Sequence, residues 1–251
     1  MRAKKSLGQN FLRSESVARA ARDGAELVKG DTVLEIGPGK GILTRVLLEK
    51  ARVIAIEKDS RLIAHLKEKF MEDISRKKLI LIEGDIFDYG IYKKFLPKNY
   101  KVVANIPYYI TGKLLPFIFS LPRTPERMIL MVQKEVGERI VVKDGKESIL
   151  SISVKAFANP KIIKRVSAKN FSPAPKVDSV LILFKNIGNK LEKVPEKMFF
   201  TVVKRGFAHK RKFVKKNLGI TENTLQACGI EPDARAENLH LEDWLCLAKK
   251  I

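Results

Sequence analysis

Metal-binding and redox side chains are scarce in this chain, with 2 cysteines, 3 histidines and 1 tryptophan in 251 residues. Cys228 and Cys246 form no CxxC pair and no repeating framework, and His65, His209 and His240 are scattered. No metal-ligand spacing results, so no metal centre is expected, and a reducing, cytoplasmic setting fits the cysteine usage best. Long apolar runs are missing as well. No stretch approaches a membrane span, and the opening MRAKKSLGQNF lacks an apolar core of signal-peptide length, so the protein is expected to remain where it is made. Acidic residues are few: 28 Asp and Glu stand against 49 Lys and Arg, a net charge of +21. A thermophile's lysine-rich surface would explain part of the surplus, but that pattern raises Glu along with Lys. The imbalance favours a polyanionic partner, nucleic acid ahead of an anionic membrane surface.

With 45% apolar and 31% charged residues, the chain reads as folded and long enough for one substantial core plus a small second domain. Short β-rich runs at Thr32–Ile36, Arg52–Ile56, Leu79–Ile82, Lys101–Ala104 and Met128–Val132 alternate with helical segments at Ile42–Lys50, Arg61–Phe70 and Thr111–Phe119. A further helix, Glu15–Val28, precedes the first strand. That alternation predicts an α/β fold with a doubly wound, mainly parallel sheet. Helices are expected at 134–142 and 148–158, followed by extended runs Lys161–Val166 and Ser179–Phe184 closing one sheet edge as an antiparallel pair. From Asn186 onward the chain reads as helical and basic, with Phe200, Val203, Phe207, Val214 and Leu218 at roughly helical spacing. The expected domains are therefore 1–185 and 186–251.

VLEIGPGKGILT, residues 33–44, reads as a strand, a tight glycine turn and the start of a helix. Gly37, Gly39 and Gly41 would let the backbone approach a ligand closely. Their GxGxG spacing departs from the GxGxxG dinucleotide fingerprint, which weakens an NAD-linked oxidoreductase reading; a purely structural turn is the plainer alternative. Glu57 falls 20 residues after Gly37, where an acid at the next strand's carboxyl end can bind a ribose diol. Asp85 ends the third strand beside the same crevice, with Ile86 able to cover an adenine ring. Glycines and two carboxylates in this order suit a nucleoside without a pyrophosphate.

NIPYYIT, residues 105–111, follows the strand 101–104 with an amide, a proline and two tyrosines. Pro107 cannot donate to a ladder and stops the strand. Aromatics at an exposed strand end suit something flat that stacks there.

Taken in order, GQNFL, EIGPGKG, IEKD, GDIFD and NIPYYIT resemble the S-adenosylmethionine-dependent rRNA adenine dimethyltransferases. The resemblance continues through MVQKEVGERI, FSPAPKVDSV, KRKFVKKNL and ARAENLHLEDWL, spanning nearly the whole chain. QKEVGERI and ARAENLHLEDWL look like the branch that dimethylates two adjacent adenosines near the 3′ end of small-subunit rRNA. The macrolide-resistance branch, acting on large-subunit rRNA, and a noncatalytic assembly factor remain the alternatives. The resemblance implies a Rossmann-like class I methyltransferase sheet of seven mostly parallel strands with an antiparallel edge, and a small all-α C-terminal domain. It implies S-adenosylmethionine as cofactor, held by Asn10, Leu12, Gly37, Glu57, Asp85, Ile86 and Asn105, with Gln9 helping to close the pocket. Asn105 and the backbone carbonyl of Ile106 or Pro107 would hold the target amine and Tyr108 would stack the extruded base; Phe171 would supply a second aromatic face or, as the plainer alternative, sit in the core at a domain seam. Tyr109 is expected to pack. Lys210, Arg211 and Lys212, with Lys204, Arg205, Lys215, Lys216 and the initial MRAKK, are candidate contacts to structured RNA or a preassembled small subunit. A monomer without metal is expected.

Overall fold

Parallel strands covered by helices on both faces must be apolar along their length, and the central runs meet that condition: TVLEI, RVIAIE and KVVAN are almost wholly buried. The computed structural model describes Lys4, residues 8–142 and residues 144–251, with Tyr108 described by its backbone alone. The first elements are β1 (Phe11–Leu12), α1 (Glu15–Gly24), β2 (Thr32–Ile36), α2 (Ile42–Leu48), β3 (Arg52–Glu57), α3 (Ser60–Lys69), α4 (Met71–Ser75) and β4 (Leu79–Glu83). Next come α5 (Tyr89–Phe95), β5 (Lys101–Asn105), α6 (Thr111–Phe119), β6 (Arg127–Gln133), α7 (Lys134–Val141), α8 (Ile149–Lys155) and β7 (Asn159–Val166). The chain ends with β8 (Phe171–Ser172), β9 (Ser179–Lys185), α9 (Glu196–Gly206), α10 (Val214–Leu218), α11 (Glu222–Gln226) and α12 (Leu241–Lys250).

Seven strands form one sheet in the order β4-β3-β2-β5-β6-β9-β7. β2 to β6 run parallel, and β9 joins β6 antiparallel, Met128 opposite Phe184 and Gln133 opposite Ser179. The winding reverses between β2 and β5, opening a crevice at their carboxyl ends. A separate two-stranded sheet pairs β1 with β8, Leu12 opposite Phe171. Local chemistry starts the helices that flank the crevice: Ser14 caps α1 and Asp59 caps α3, each accepting a backbone N–H.

The chain divides into two compact units, one comprising residues up to Gly137 with Lys161–Ile187, the other Glu138–Pro160 with Gly188–Ile251. Residues 138–160, expected with the sheet, thus group with the C-terminal helices. Glu147 accounts for this within the second unit. Its N–H donates to the Glu237 carbonyl at 2.9 Å, and its buried carboxylate pairs with Lys155 and lies 3.4 Å from His240 Nδ1.

Two expectations are corrected in the second unit. The apolar spacing from Phe200 to Leu218 is not one helix: α9 ends at Gly206, and α10 begins at Val214. Trp244 of α12 packs where a Gly206 side chain would lie, leaving no room for a Cβ there, and stacks on Phe207 with ring centroids 5.5 Å apart. The cysteines are joined: Cys228 and Cys246 form a disulfide linking the turn after α11 to α12, although 18 residues separate them. Among the described residues no helix is long and apolar enough to cross a membrane, and no group of three or more His, Cys, Asp or Glu could hold a metal ion.

Candidate active site

The carboxyl ends of β2, β3 and β5 converge on a cavity of about 210 Å³. The glycine turn after β2 forms one wall. Gly37 has φ +66°, and a Cβ on it would meet nothing within 4 Å, so the backbone here borders open space. Gly39 donates its N–H to Glu57 Oε2 at 3.2 Å, tying this turn to the end of β3. Glu57 also accepts from the N–H groups of Lys58 (2.9 Å) and Asp59 (3.0 Å). Burial lifts the Glu57 pKa above the ordinary carboxylate value against the pull of those three donors.

Asp85 accepts from Lys58 Nζ at 2.7 Å and from the Phe87 N–H at 3.0 Å, and these contacts, the lysine first, lower its pKa. Ile86 lies beside it on the cavity wall. The opposite wall is the segment from Gly8 to Leu12. Gln9 Nε2 donates to Asp59 Oδ2 at 3.1 Å, while Lys4 Nζ lies 3.5 Å from Asp59 Oδ1. The Arg61 guanidinium, with help from Gln9, holds the buried Asp59 carboxyl well below the usual range. Asn105, at the end of β5, donates from Nδ2 to the Asn10 carbonyl at 3.2 Å. With the nitrogen so engaged, the amide orientation leaves its Oδ1 as the acceptor.

Asn10, Leu12, Gly37 and Glu57 therefore share one cavity with Asp85, Ile86, Asn105 and Pro107. Phe171 does not join them: it is 3% exposed and belongs to the core under β2 and α1, because β8 is pinned to β1 with that ring facing inward. The stacking role expected of the Tyr108 side chain, and the phosphate contacts expected of Arg2 and Lys5 in MRAKK, lie outside the described residues. Tyr109, expected to pack, lines the cavity and is 63% exposed. In the second unit Lys210, Arg211 and Lys212 are exposed on the turn between α9 and α10, and Lys204 of α9 and Lys216 of α10 are exposed on their helices. Arg205, also exposed, donates to the Leu218 carbonyl at 2.9 Å, and Lys215 pairs with Glu222.

Sequence reasoning passed over Glu35. This residue of β2 lines the cavity and is wholly buried, and among the described residues its carboxylate oxygens have no well-formed hydrogen bond, with only Thr44 acting on them as a donor. Burial pushes its pKa up to about 8, with the Thr44 hydroxyl nearby opposing the rise and the Glu57 carboxylate adding to it. The signal was a carboxylate inside the otherwise apolar TVLEI. A buried carboxylate beside a glycine cradle, with two more acids at the next strand ends, fits a cationic nucleoside ligand.

A family model described as ribosomal RNA adenine dimethylase matches residues 1–251. The chain belongs to this family. A ribosomal RNA small subunit methyltransferase A from Thermosynechococcus vestitus is 41% identical over 266 residues, covering 100% of this chain and 97% of the relative. A dimethyladenosine transferase from Plasmodium falciparum matches in structure with a TM-score of 0.79 at 26% identity, covering 94% of this chain and 95% of that one. The 23S rRNA methyltransferase ErmE matches with a TM-score of 0.78 at 25% identity, covering 96% and 99%. The dimethylase family uses S-adenosylmethionine, and the cavity's glycine turn and carboxylates suit it.

Proposed function

We infer that this family member transfers methyl groups from S-adenosylmethionine to the exocyclic amines of two adjacent adenosines near the 3′ end of small-subunit rRNA. The carrying observation is Asn105, whose amide nitrogen is fixed by the Asn10 carbonyl beside a cavity lined by glycine turn and carboxylates. The cofactor supplies an electrophilic methyl group on a cationic sulfur. Glu57 accepts from the ribose hydroxyls, Asp85 from the adenine amine, and Ile86 covers that ring. Gly37 lets the methionine portion approach the backbone, Asn10 and Leu12 wall it in, and Glu35 offers a negative charge to a positively charged ligand.

An adenine amine is a weak nucleophile because its lone pair is delocalised into the ring. Asn105 Oδ1 and the Ile106 or Pro107 carbonyl accept its two hydrogens and turn the lone pair toward the methyl group, with Pro107 fixing their aim. Tyr108 stacks the extruded base. The acceleration comes from positioning and fixed dipoles. Lys210, Arg211 and Lys212 contact phosphates and orient the RNA without reading sequence.

The test is transfer of labelled methyl to small subunits from an unmethylated strain, with the labelled nucleotides mapped. Labelled adenosines near the 3′ end are expected, and Asn105→Ala is expected to lower kcat by at least about 100-fold, as removal of one preorganised polar group does elsewhere. Labelling of large-subunit RNA instead would establish the macrolide-resistance type of activity. Cofactor binding with no transfer to any RNA would leave an assembly factor.

A further inference from the structure

Tyr109 is at odds with its surroundings. Ile106 and Ile110 on either side of its turn are 2% and 9% exposed, and the Ile110 N–H closes that turn on the Pro107 carbonyl at 3.1 Å. Tyr109, between them, is 63% exposed and lines the cavity at its rim. Its ring is held on one side by the chain itself. Gly8 has φ +57°, and a Cβ there would come within 3.0 Å of Tyr109 Cδ1 and 3.2 Å of Cε1. Residue 8 thus has two reasons to be glycine, its backbone conformation and the ring beside it. A turn anchored by two buried isoleucines holds the aromatic in place, and the rest of its surface faces solvent.

We propose that Tyr109 is a second stacking platform, which takes the nucleobase flanking the target adenosine. The proposal rests on the reading of this protein as an RNA adenine methyltransferase. An adenine that reaches Asn105 must enter the cavity and leave its own stack, at a cost of a few kcal/mol. Its chain neighbour stays at the rim and loses a stacking partner. Tyr109, four residues beyond Asn105 and exposed where Asn105 is partly covered, offers that neighbour a flat replacement surface. Stacking on an aromatic tolerates any base, so the contribution is to holding the RNA strand rather than to choosing its sequence.

The test compares Y109A and Y109L with Y109F and Y109W in methyl transfer to unmethylated small subunits, with S-adenosylmethionine affinity measured by calorimetry. Y109F and Y109W are expected to keep KM for the subunit within about twofold. Y109A and Y109L are expected to raise it roughly 5- to 150-fold, the worth of one stacked base, with clearly smaller changes in kcat at saturation and in cofactor affinity. Y109L preserves apolar bulk and decides the matter against Y109F if Y109A does not fold. An unchanged KM in Y109L, a matching loss in Y109F, or a loss of cofactor affinity as large as the rise in KM would overturn the proposal. A wild type that methylates no RNA removes the underlying reading; an active wild type with an active Y109L removes this proposal alone.

Discussion

Glu35 concentrates the electrostatics of the site in one side chain. A carboxyl whose pKa is lifted from 4.5 to about 8 binds a proton in the folded protein that the unfolded chain has released. Stability therefore falls as pH rises between those two values, the sign expected when the native state holds more protons. Binding of a cation reverses the preference, because it favours the ionised form. Affinity for S-adenosylmethionine should strengthen between pH 6.5 and 8.5 and be accompanied by proton release, both readable by calorimetry in buffers of different ionisation enthalpy. Glu35→Gln should flatten that pH dependence and abolish the released proton while leaving the melting temperature at or above the wild-type value at pH 8. An unaltered pH profile in this variant would assign the proton to another group.

Among the elements, α3 and the segment before β1 share one anchor. Asp59 caps α3 and also receives Gln9, so one side chain starts a helix and holds a cavity wall. Asp59→Ala should cost about 1 kcal/mol from the lost cap, a fall of about 2–4 °C in Tm for a protein of this size, and should also weaken cofactor binding. Gln9→Ala should weaken cofactor binding with a smaller change in Tm, which separates the wall from the cap. The disulfide between Cys228 and Cys246 belongs to this scale too. Thiol titration of the unreduced, unfolded protein should find no free thiol among the two. Reduction should destabilise the C-terminal helices by about 3 kcal/mol on the chain-entropy estimate for a loop of this length.

Over the whole molecule, charge governs association. Replacing Lys210, Arg211 and Lys212 together by Ala should weaken RNA binding across sequences and lower the salt-dependence slope by roughly 2 to 3, on the rule of about 0.7 to 0.9 per lost phosphate contact. Cofactor affinity should not change. The sheet and the site were legible in the sequence to different depths. β2 to β6 could be read because parallel strands announce themselves as continuous apolar runs, and Gly37, Glu57, Asp85 and Asn105 because each stands at a strand's carboxyl end. Whether Phe171 faces the base or the core could not be decided locally, since its burial depends on pairing between β1 and β8, far apart in sequence. The grouping of 138–160 with the last helices and the break at Gly206 likewise depend on Glu237, His240 and Trp244, which local patterns do not connect to them. That β1–β8 pairing has a consequence for synthesis. Leu12 lines the cavity but is held by Phe171, so a nascent chain that has not yet released residue 172 from the ribosome lacks the strand that fixes this wall. This cavity wall can therefore be fixed only by residues that follow every parallel strand of the sheet in the chain, so it should form after those strands have emerged.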